Sequence, residues 1–295
     1  MAGLPRRAAL NIGKPVGRGA INQATDVSLV QLLLTLASRG TGEELAVDGH
    51  AGQRTISAIE DFQRRVLHRT DPDGCVDPDG ATMRALLAAA DAAITQRTTL
   101  PIGGGVRMVE ADYERAARTL ECEVAAIKAV ALVESAGDGF LPSGRPKILF
   151  EAHVFSRFTQ HRYDRAFPDI SSAAWNRGLY AGGEKEYDRL LKSMLVDRAS
   201  ALSSTSWGRF QIMGFNHQAA GVATLEAFIT AMFSSEGAHL DAVVAFLQST
   251  RLDTALRSKD WAQFAAGYNG PGYSEQRYDL RLKTGYEELR RASTA

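Results

Sequence analysis

The chain has 295 residues, of which 45% are hydrophobic and 23% charged, a composition typical of soluble globular proteins that bury proper cores. Its 34 basic and 34 acidic residues give a formal net charge of zero, so no bulk charge would draw it to nucleic acid or anionic lipid. We therefore expect two domains and no nucleic-acid partner. We also expect a monomer.

The sequence shows no targeting or membrane-spanning segment. Arg6 and Arg7 precede a weakly apolar stretch that polar residues and glycine interrupt, so no hydrophobic signal-peptide core follows them. The longest apolar run in a helical pattern, Leu32 to Leu34, is far shorter than the ~20 residues that a membrane span needs. We expect no stable membrane insertion and a protein that is made in the cytosol and stays soluble there.

Residues 11 to 95 are predicted to form a small unit of three helices. Thr25 or Asp26 can cap the first helix. A tight turn at Asp48-Gly49 separates it from the second, which has Thr55 in its first turn. Apolar residues recur at helical spacing in each helix: Val27, Val30, Leu33, Leu34 and Ala37 in the first, Ile56, Ile59, Phe62 and Val66 in the second, and Met83, Leu86, Leu87, Ala90 and Ile94 in the third.

Several short motifs are spread over these eighty residues: Asp48-Gly49, Gly52, Thr55, Ala58-Ile59 and Phe62-Gln63, echoed by Val76-Asp77 and Leu86. Together they resemble the peptidoglycan-binding domain family. Most of the residues also have an ordinary structural explanation, because glycines suit turns and the apolar residues suit a core. The resemblance implies that the assembled surface binds the stem peptide or the glycan of peptidoglycan, without identifying individual contacts.

Residues 96 to 107 are predicted to be a linker, because a glycine triplet after Pro101 resists regular structure. Beyond it, residues 108 to 295 are expected to form a mainly helical domain with at most a small β element. The short apolar stretch Lys147 to Phe150 can be a strand or the start of a helix. Helical patterns occupy 109–120, 122–135, 184–196, 222–235, 237–249 and 260–268.

Glu134 is the first candidate for chemistry. It shares one face of its predicted helix with Ile127, Val130 and Ala131. Burial disfavours a charged carboxylate, so this position could hold a proton near neutral pH and donate it to a leaving group. The helix alone leaves another explanation open, a glutamate at the core edge held by an arginine or a backbone amide.

A polar and aromatic fragment, residues 206 to 213, could line a groove for a saccharide. Ser206 and Trp207 precede Gly208, which would let the chain pass close to a sugar, and Gln211 offers an amide donor and an acceptor. Trp207 can belong to that groove or to the core. Phe210, Ile212 and Met213 are expected to pack beneath it.

Tyr268 and Asn269 end a predicted helix, where their side chains can project towards a substrate. The alternative is a plain Asn-Gly helix terminus, because Gly270 follows them.

Glu134-Ser-Ala-Gly137, Gly208-Arg-Phe-Gln-Ile-Met213 and Tyr268-Asn-Gly270, in this order, resemble the lysozyme-like fold shared by goose-type lysozymes and soluble lytic transglycosylases. More narrowly, residues 147–155, 186–190, 206–208 and 210–214 resemble the N-acetylmuramidase domain family of phage endolysins, over about residues 108 to 290. With the wall-binding segment, the chain resembles a modular endolysin. The resemblance implies a lysozyme-type glycoside hydrolase that cleaves the bond between N-acetylmuramic acid and N-acetylglucosamine.

The family pattern places the general acid at Glu134 and makes Glu151 the candidate partner carboxylate. A separation of about 6.5 to 9.5 Å would leave room for an attacking water, and about 5 to 5.5 Å would favour direct attack. Glu151 can instead be an acid favoured by the dipole of the helix that follows. The resemblance also makes Ser206, Trp207, Gln211, Tyr268 and Asn269 the expected substrate-binding residues.

No metal and no cofactor are expected. The six histidines lack HExxH or paired spacing, and the glycine triplet lacks the Lys-Ser or Lys-Thr of a phosphate-binding loop. Ser135 has no Gly-x-Ser-x-Gly context. Cys75 and Cys122 are predicted to be unpaired thiols.

Two other functions remain open from the sequence. A lytic transglycosylase would use one acid/base and form a 1,6-anhydro-muramic product. A non-enzymatic peptidoglycan-binding protein would keep the lysozyme-like fold without the activity. The expected partner in all cases is bacterial peptidoglycan, its glycan strands and stem peptides. A cytosolic phage lysis enzyme would need a separate pore to reach the wall.

Overall fold

The protein is mainly helical, as expected. The computed structural model describes residues 10–38, 45–135 and 137–292, without the side chains of Glu134, Ser135 and Pro271. Its helices are α1 Ala24–Ala37, α2 Gln53–Leu67, α3 Ala81–Thr98, α4 Glu110–Leu120, α5 Val124–Ser135, α6 Ala152–Phe158, α7 Glu186–Ser203, α8 Leu225–Ser234, α9 Glu236–Ser249, α10 Leu252–Ser258, α11 Trp261–Asn269 and α12 Tyr278–Ala292.

The β structure is small. Strands β1 (Val16–Gly17) and β2 (Cys75–Val76) pair antiparallel, and β3 (Ile148–Phe150), β4 (Thr205–Trp207) and β5 (Ile212–Met213) form an antiparallel sheet in that order. The apolar stretch before residue 151 is therefore a strand and not a helix start, because it finds β4 as a hydrogen-bonding partner.

The described residues form two compact units. One contains residues up to 100 with 151–181 and 187–201, and the other contains 101–150 with 182–186 and from 202 onwards. The predicted domains 11–95 and 108–295 stay predictions. Within the expected linker, the last turn of α3 includes residues 96–98, and Gly104 N–H donates to Phe233 O at 2.9 Å.

The N-terminal helices form where the apolar periodicity predicts them, but the predicted cap of α1 is wrong. Its N-cap is Gln23, without a side-chain hydrogen bond. The Asp26 carboxylate instead accepts the backbone N–H groups of Gly13 at 3.1 Å and Lys14 at 2.9 Å. A carboxylate in the first turn of the helix can do this because the preceding segment folds back over it.

Two buried glutamines hold the turns between these helices. Gln31 accepts the N–H of Gly49 at 3.0 Å and donates to Asp48 at 2.8 Å. Gln63 repeats the arrangement in the second half, accepting from Gly74 at 3.0 Å and donating to Asp73 at 2.6 Å. The same pair of bonds thus recurs at two Asp-Gly turns.

In the second unit, α12 packs against α5. Gly285 faces α5 at this contact, where a Cβ would lie 3.5 Å from the side chain of Leu132, an ordinary packing distance. Tyr286 donates its hydroxyl to Glu123 at 2.9 Å, just before α5 begins. The sequence did not predict α12, because only Leu282, Gly285 and Tyr286 of this charged helix are buried.

Cys75 and Cys122 are both free thiols, as predicted. Across the part of the chain that the structure describes, no helix combines the length and apolar character that crossing a membrane requires.

Candidate active site

Glu134 lies in the last turn of α5, a helix with an apolar inner face. Ile127, Val130 and Ala131 are 2%, 2% and 1% exposed, so the predicted apolar face exists. The side chain of Glu134 lies outside the described residues, so its burial and its role as a proton donor remain predictions.

The end of α5 is held by α12. The guanidinium of Arg281 donates to the carbonyl of Val133 at 3.2 Å. The carbonyl groups in the last turn of a helix have no N–H donor within the helix. The bond from Arg281 supplies a donor to one of them. The residue directly before Glu134 is therefore fixed by a contact from a distant part of the sequence.

The loop that follows Glu134 is tied down by one buried carboxylate. Glu236 accepts the N–H of Gly139 at 2.5 Å on one oxygen and that of Met108 at 3.1 Å on the other. At the far side of the loop, Lys147 N–H donates to Gly139 O at 2.8 Å. Both sides of the Gly139 backbone are thus fixed, which limits the positions that the loop can take.

Arg209 neutralises Glu236. Its Nη1 lies 3.2 and 3.3 Å from the two carboxylate oxygens, and Glu236 is only 2% exposed. Burial opposes the charge of Glu236, but the N–H groups of Gly139 and Met108 and the Arg209 guanidinium together lower its pKa. The carboxylate therefore stays ionised as an anchor and does not serve as a proton donor.

His239 lies beside this ion pair as a neutral ring. Its Nε2 is 2.7 Å from Met232 O, and its Nδ1 accepts the Arg209 backbone N–H at 3.1 Å. Burial lowers its pKa. A Cβ at Gly208 would lie 2.8 Å from the His239 ring, so this glycine is required for packing on histidine. The close passage of Gly208 to a sugar stays a prediction.

An open cavity of ≈ 350 Å³ lies beside the loop. Arg107, Asp138, Phe140 and Glu236 are among its lining residues, and Arg107 makes two hydrogen bonds to Asp138 at 2.5 and 2.8 Å. The volume lies within the range of small-ligand sites, and the lining combines charged groups with one aromatic ring. The sequence pointed to none of these four residues as part of a site.

Ser206 and Gln211 contact each other across the β4–β5 hairpin. The Ser206 hydroxyl donates to Gln211 Oε1 at 2.7 Å, and Gln211 Nε2 donates to Gly208 O at 2.8 Å. Gln211 also has a φ of 50°, the left-handed region. Both ends of this amide serve the turn in this structure, and contact with substrate remains a prediction for both residues.

Trp207 is a core residue, which corrects its expected place in the groove. Its side chain is fully buried, and its indole N–H donates to Leu202 O at 3.2 Å. Trp207 is the last residue of β4, a strand that is buried along its whole length. Trp207 therefore supports the hairpin from the core side.

Tyr268 reaches the same hairpin from α11. Its hydroxyl donates to Phe210 O at 2.9 Å, and its ring stacks on Phe264 with centroids 5.6 Å apart. Asn269 is the last residue of α11, and Gly270 follows with a φ of 80°. The structure thus places Ser206, Gln211 and Tyr268 around one turn, with half-buried side chains at two of them.

Glu151 belongs to the other compact unit and has its own polar environment. Its Oε2 accepts the Tyr180 hydroxyl at 2.6 Å and lies 3.3 Å from His153 Nδ1. It is the N-cap of α6 but makes no side-chain capping bond. Its N-cap position still suits an acid favoured by the helix dipole, and the hydrogen bond from Tyr180 is an additional contact.

Four residues of these two regions were not predicted as functional: Arg209, Glu236, His239 and Tyr180. Arg209 lies inside a motif that was noted for its neighbours, and Glu236 opens α9 directly after its N-cap Ser235. A glutamate at the start of a helix is common, so no feature of the sequence distinguished Glu236.

Of the residues that the structure describes, no three or more His, Cys, Asp or Glu side chains form a group that could hold a metal ion.

Comparison with known proteins gives matches of two kinds, to a family model and to solved structures. A family model described as N-acetylmuramidase matches residues 123–290. Among solved structures, the endolysin of Burkholderia phage AP3 is similar, with 35% sequence identity, a TM-score of 0.60, and coverage of 95% of this chain and 99% of that chain. No curated protein matches the chain.

Proposed function

This chain belongs to the N-acetylmuramidase family and is a lysozyme-type peptidoglycan hydrolase, and from that premise we propose that Glu134 is its general acid. Glu134 would protonate the glycosidic oxygen between N-acetylmuramic acid and N-acetylglucosamine. The observation that carries this proposal is the double restraint around position 134, where Arg281 holds the helix before it and Glu236 holds the loop after it. Such restraint suits a group that must meet one bond in one geometry.

We propose Glu151 as the partner carboxylate. Its Oε2 is occupied by Tyr180, whose pKa is raised by burial and by the hydrogen bond to Glu151, so the phenol remains a donor. This bond fixes the orientation of the carboxylate. Glu151 would then activate water or stabilise the positive charge that develops on the sugar.

The substrate would contact the hairpin surface through Ser206, Gln211, Tyr268 and Asn269. The first three are linked around one turn, which supports a joint role. Because the Gln211 amide already uses both ends within the turn, substrate contact would require it to exchange the bond to Gly208 or to share its oxygen. Trp207 would contribute only by supporting this turn.

Residues 11–95 are proposed to bind insoluble peptidoglycan and so raise the local concentration of the enzyme on its substrate. Sedimentation with purified walls tests this, using the full chain with Glu134→Gln and, separately, the segment expressed alone. We expect both to pellet with the walls. A folded segment that stays in the supernatant would contradict the tether.

We further propose that the enzyme acts as a monomer on peptidoglycan that it reaches from the host cytosol through a separate pore.

The decisive test of the reaction is clearance of purified peptidoglycan followed by mass spectrometry of the products. Hydrolysis leaves a reducing muramic end, and this is the expected product. A 1,6-anhydro end would replace the proposal with transglycosylase chemistry, which the family match does not favour.

A further inference from the structure

Trp175 differs from the two other tryptophans of the chain in being 60% exposed. Trp207 and Trp261 are 0% and 7% exposed. A single exposed aromatic residue is not unusual by itself. The feature that sets Trp175 apart is the hydrogen-bond chain that holds its ring in place.

The indole N–H of Trp175 donates to the Tyr180 hydroxyl at 2.7 Å, and that hydroxyl donates to Glu151 Oε2 at 2.6 Å. The two rings meet edge to face, with centroids 6.3 Å apart and planes at 65°. The only polar atom of the indole is therefore satisfied inside the protein. What Trp175 offers to a ligand is its ring face alone.

The backbone around Trp175 is also fixed. Ser172 donates its hydroxyl to Ala174 O at 2.7 Å, and Asn176 accepts the N–H of Gly178 at 2.9 Å. These bonds lie on either side of Trp175. The ring thus has a defined orientation before any ligand arrives, which reduces the entropy lost on binding.

Glu151 supplies a polar group beside this aromatic cluster. Tyr180 and His153 both approach its Oε2. Its Oε1 accepts no hydrogen bond from any group within the described ranges, and the side chain is 16% exposed. One carboxylate oxygen can therefore accept a hydrogen bond from a ligand.

An exposed aromatic face next to a carboxylate acceptor matches the surface of a sugar ring. The C–H groups on one face of a hexopyranose can lie against a π system, and hydroxyl or amide N–H groups at its edge can donate to a carboxylate. We propose that Trp175, Tyr180 and Glu151 form a glycan subsite that binds one N-acetylated sugar of the peptidoglycan strand. The choice of polymer rests on the proposed function, and the site deepens the role given to Glu151.

Trp175 is also the natural reporter for its own site, because the other tryptophans are buried. The probe is tri-N-acetylchitotriose added to the unmodified full chain, with iodide quenching of tryptophan fluorescence as the measurement. We expect the sugar to shift the emission to shorter wavelength and to protect Trp175 from iodide. Protection by a free stem peptide but not by the sugar would overturn the glycan assignment.

Variants then test the residues by calorimetric titration of the same sugar. Trp175→Ala should weaken binding about tenfold, Trp175→Phe less, and Tyr180→Phe by an intermediate factor. Phe158→Ala is the matched control, since it removes another partly exposed aromatic ring of the same unit and should leave the affinity unchanged. Equal affinity in wild type and Trp175→Ala would overturn the proposal.

These measurements do not depend on turnover. If Glu134→Gln remained fully active while the sugar still protected Trp175, the proposed acid would fail and the subsite would stand. If Glu134→Gln lost activity while the sugar left the fluorescence of Trp175 unchanged, the proposed subsite would be wrong and the proposed acid would stand.

Discussion

Glu236 accepts the backbone N–H of Gly139 at 2.5 Å, although 97 residues separate the two in sequence. The bond links the start of α9 to the loop that directly follows the helix carrying Glu134. A Cβ at Gly139 would lie 2.9 Å from the side chain of Arg209 and 3.1 Å from Glu236 Oε1, so the loop approaches the ion pair closely. The loop after position 134 is thus restrained by residues that lie far from it in sequence.

Glu236→Gln is expected to lower both stability and turnover. The substitution leaves the Arg209 charge buried without its partner, a loss of about 3 to 5 kcal/mol by analogy with other buried pairs. In the folded fraction we expect kcat to fall by roughly tenfold or more, with a smaller change in KM, because a displaced loop misplaces the acid. Asp253→Asn, which breaks a partly exposed pair with Arg257, should change stability by less than about 1 kcal/mol.

The same carboxylate predicts a pH dependence of stability. The pKa of Glu236 is lowered in the fold, so its contribution is complete above its ordinary value of 4.5 and is lost as pH falls through the folded pKa. Chemical denaturation of wild type and Glu236→Gln from pH 7 to pH 3 measures this. The difference between them should be largest at neutral pH and shrink below 4.5. A difference that grew on acidification would contradict the ionised anchor.

His239 is predicted to remain neutral at the pH where exposed histidines protonate. Burial lowers its pKa below the ordinary 6.5, and the bond to Met232 O requires a proton on Nε2. Nitrogen-15 NMR of the imidazole should therefore report the Nε2–H tautomer at pH 6.5. A His239 ring that carried protons on both nitrogens at this pH would be incompatible with this environment.

Glu134→Gln should retain the fold and lose activity by several orders of magnitude, because an amide cannot donate a proton to the leaving oxygen. Release of reducing ends from soluble glycan fragments measures the rate, and thermal melting verifies the fold. Glu151→Gln should have a smaller or comparable effect. A Glu134→Gln protein that clears walls at the wild-type rate would remove the proposed mechanism.

Trp207→Ala should act on stability and not on substrate contact. Removing a fully buried indole costs about 3 to 5 kcal/mol, and the bond to Leu202 O is lost as well. Below the melting temperature, the folded variant should bind tri-N-acetylchitotriose with nearly wild-type affinity. Loss of affinity in a variant of unchanged stability would instead indicate that Trp207 contacts the substrate.

The sequence alone determined the helical class and the apolar face of α5. Ile127, Val130 and Ala131 are buried because residues three and four apart share a helix face, a rule that needs no knowledge of the rest of the chain. The motifs around Glu134, Gln211 and Tyr268 also sufficed to indicate the family, since each is local and contiguous.

Only the tertiary structure decided what those residues touch. Trp207 lies in the core because β4 pairs with β3, where Trp207 lies opposite Ile148 from a distant part of the sequence. Glu236, Arg281 and Tyr180 acquire their roles from partners that no local pattern connects to them. Periodicity reports which face of an element is buried, whereas a single long-range hydrogen bond depends on how the whole chain folds.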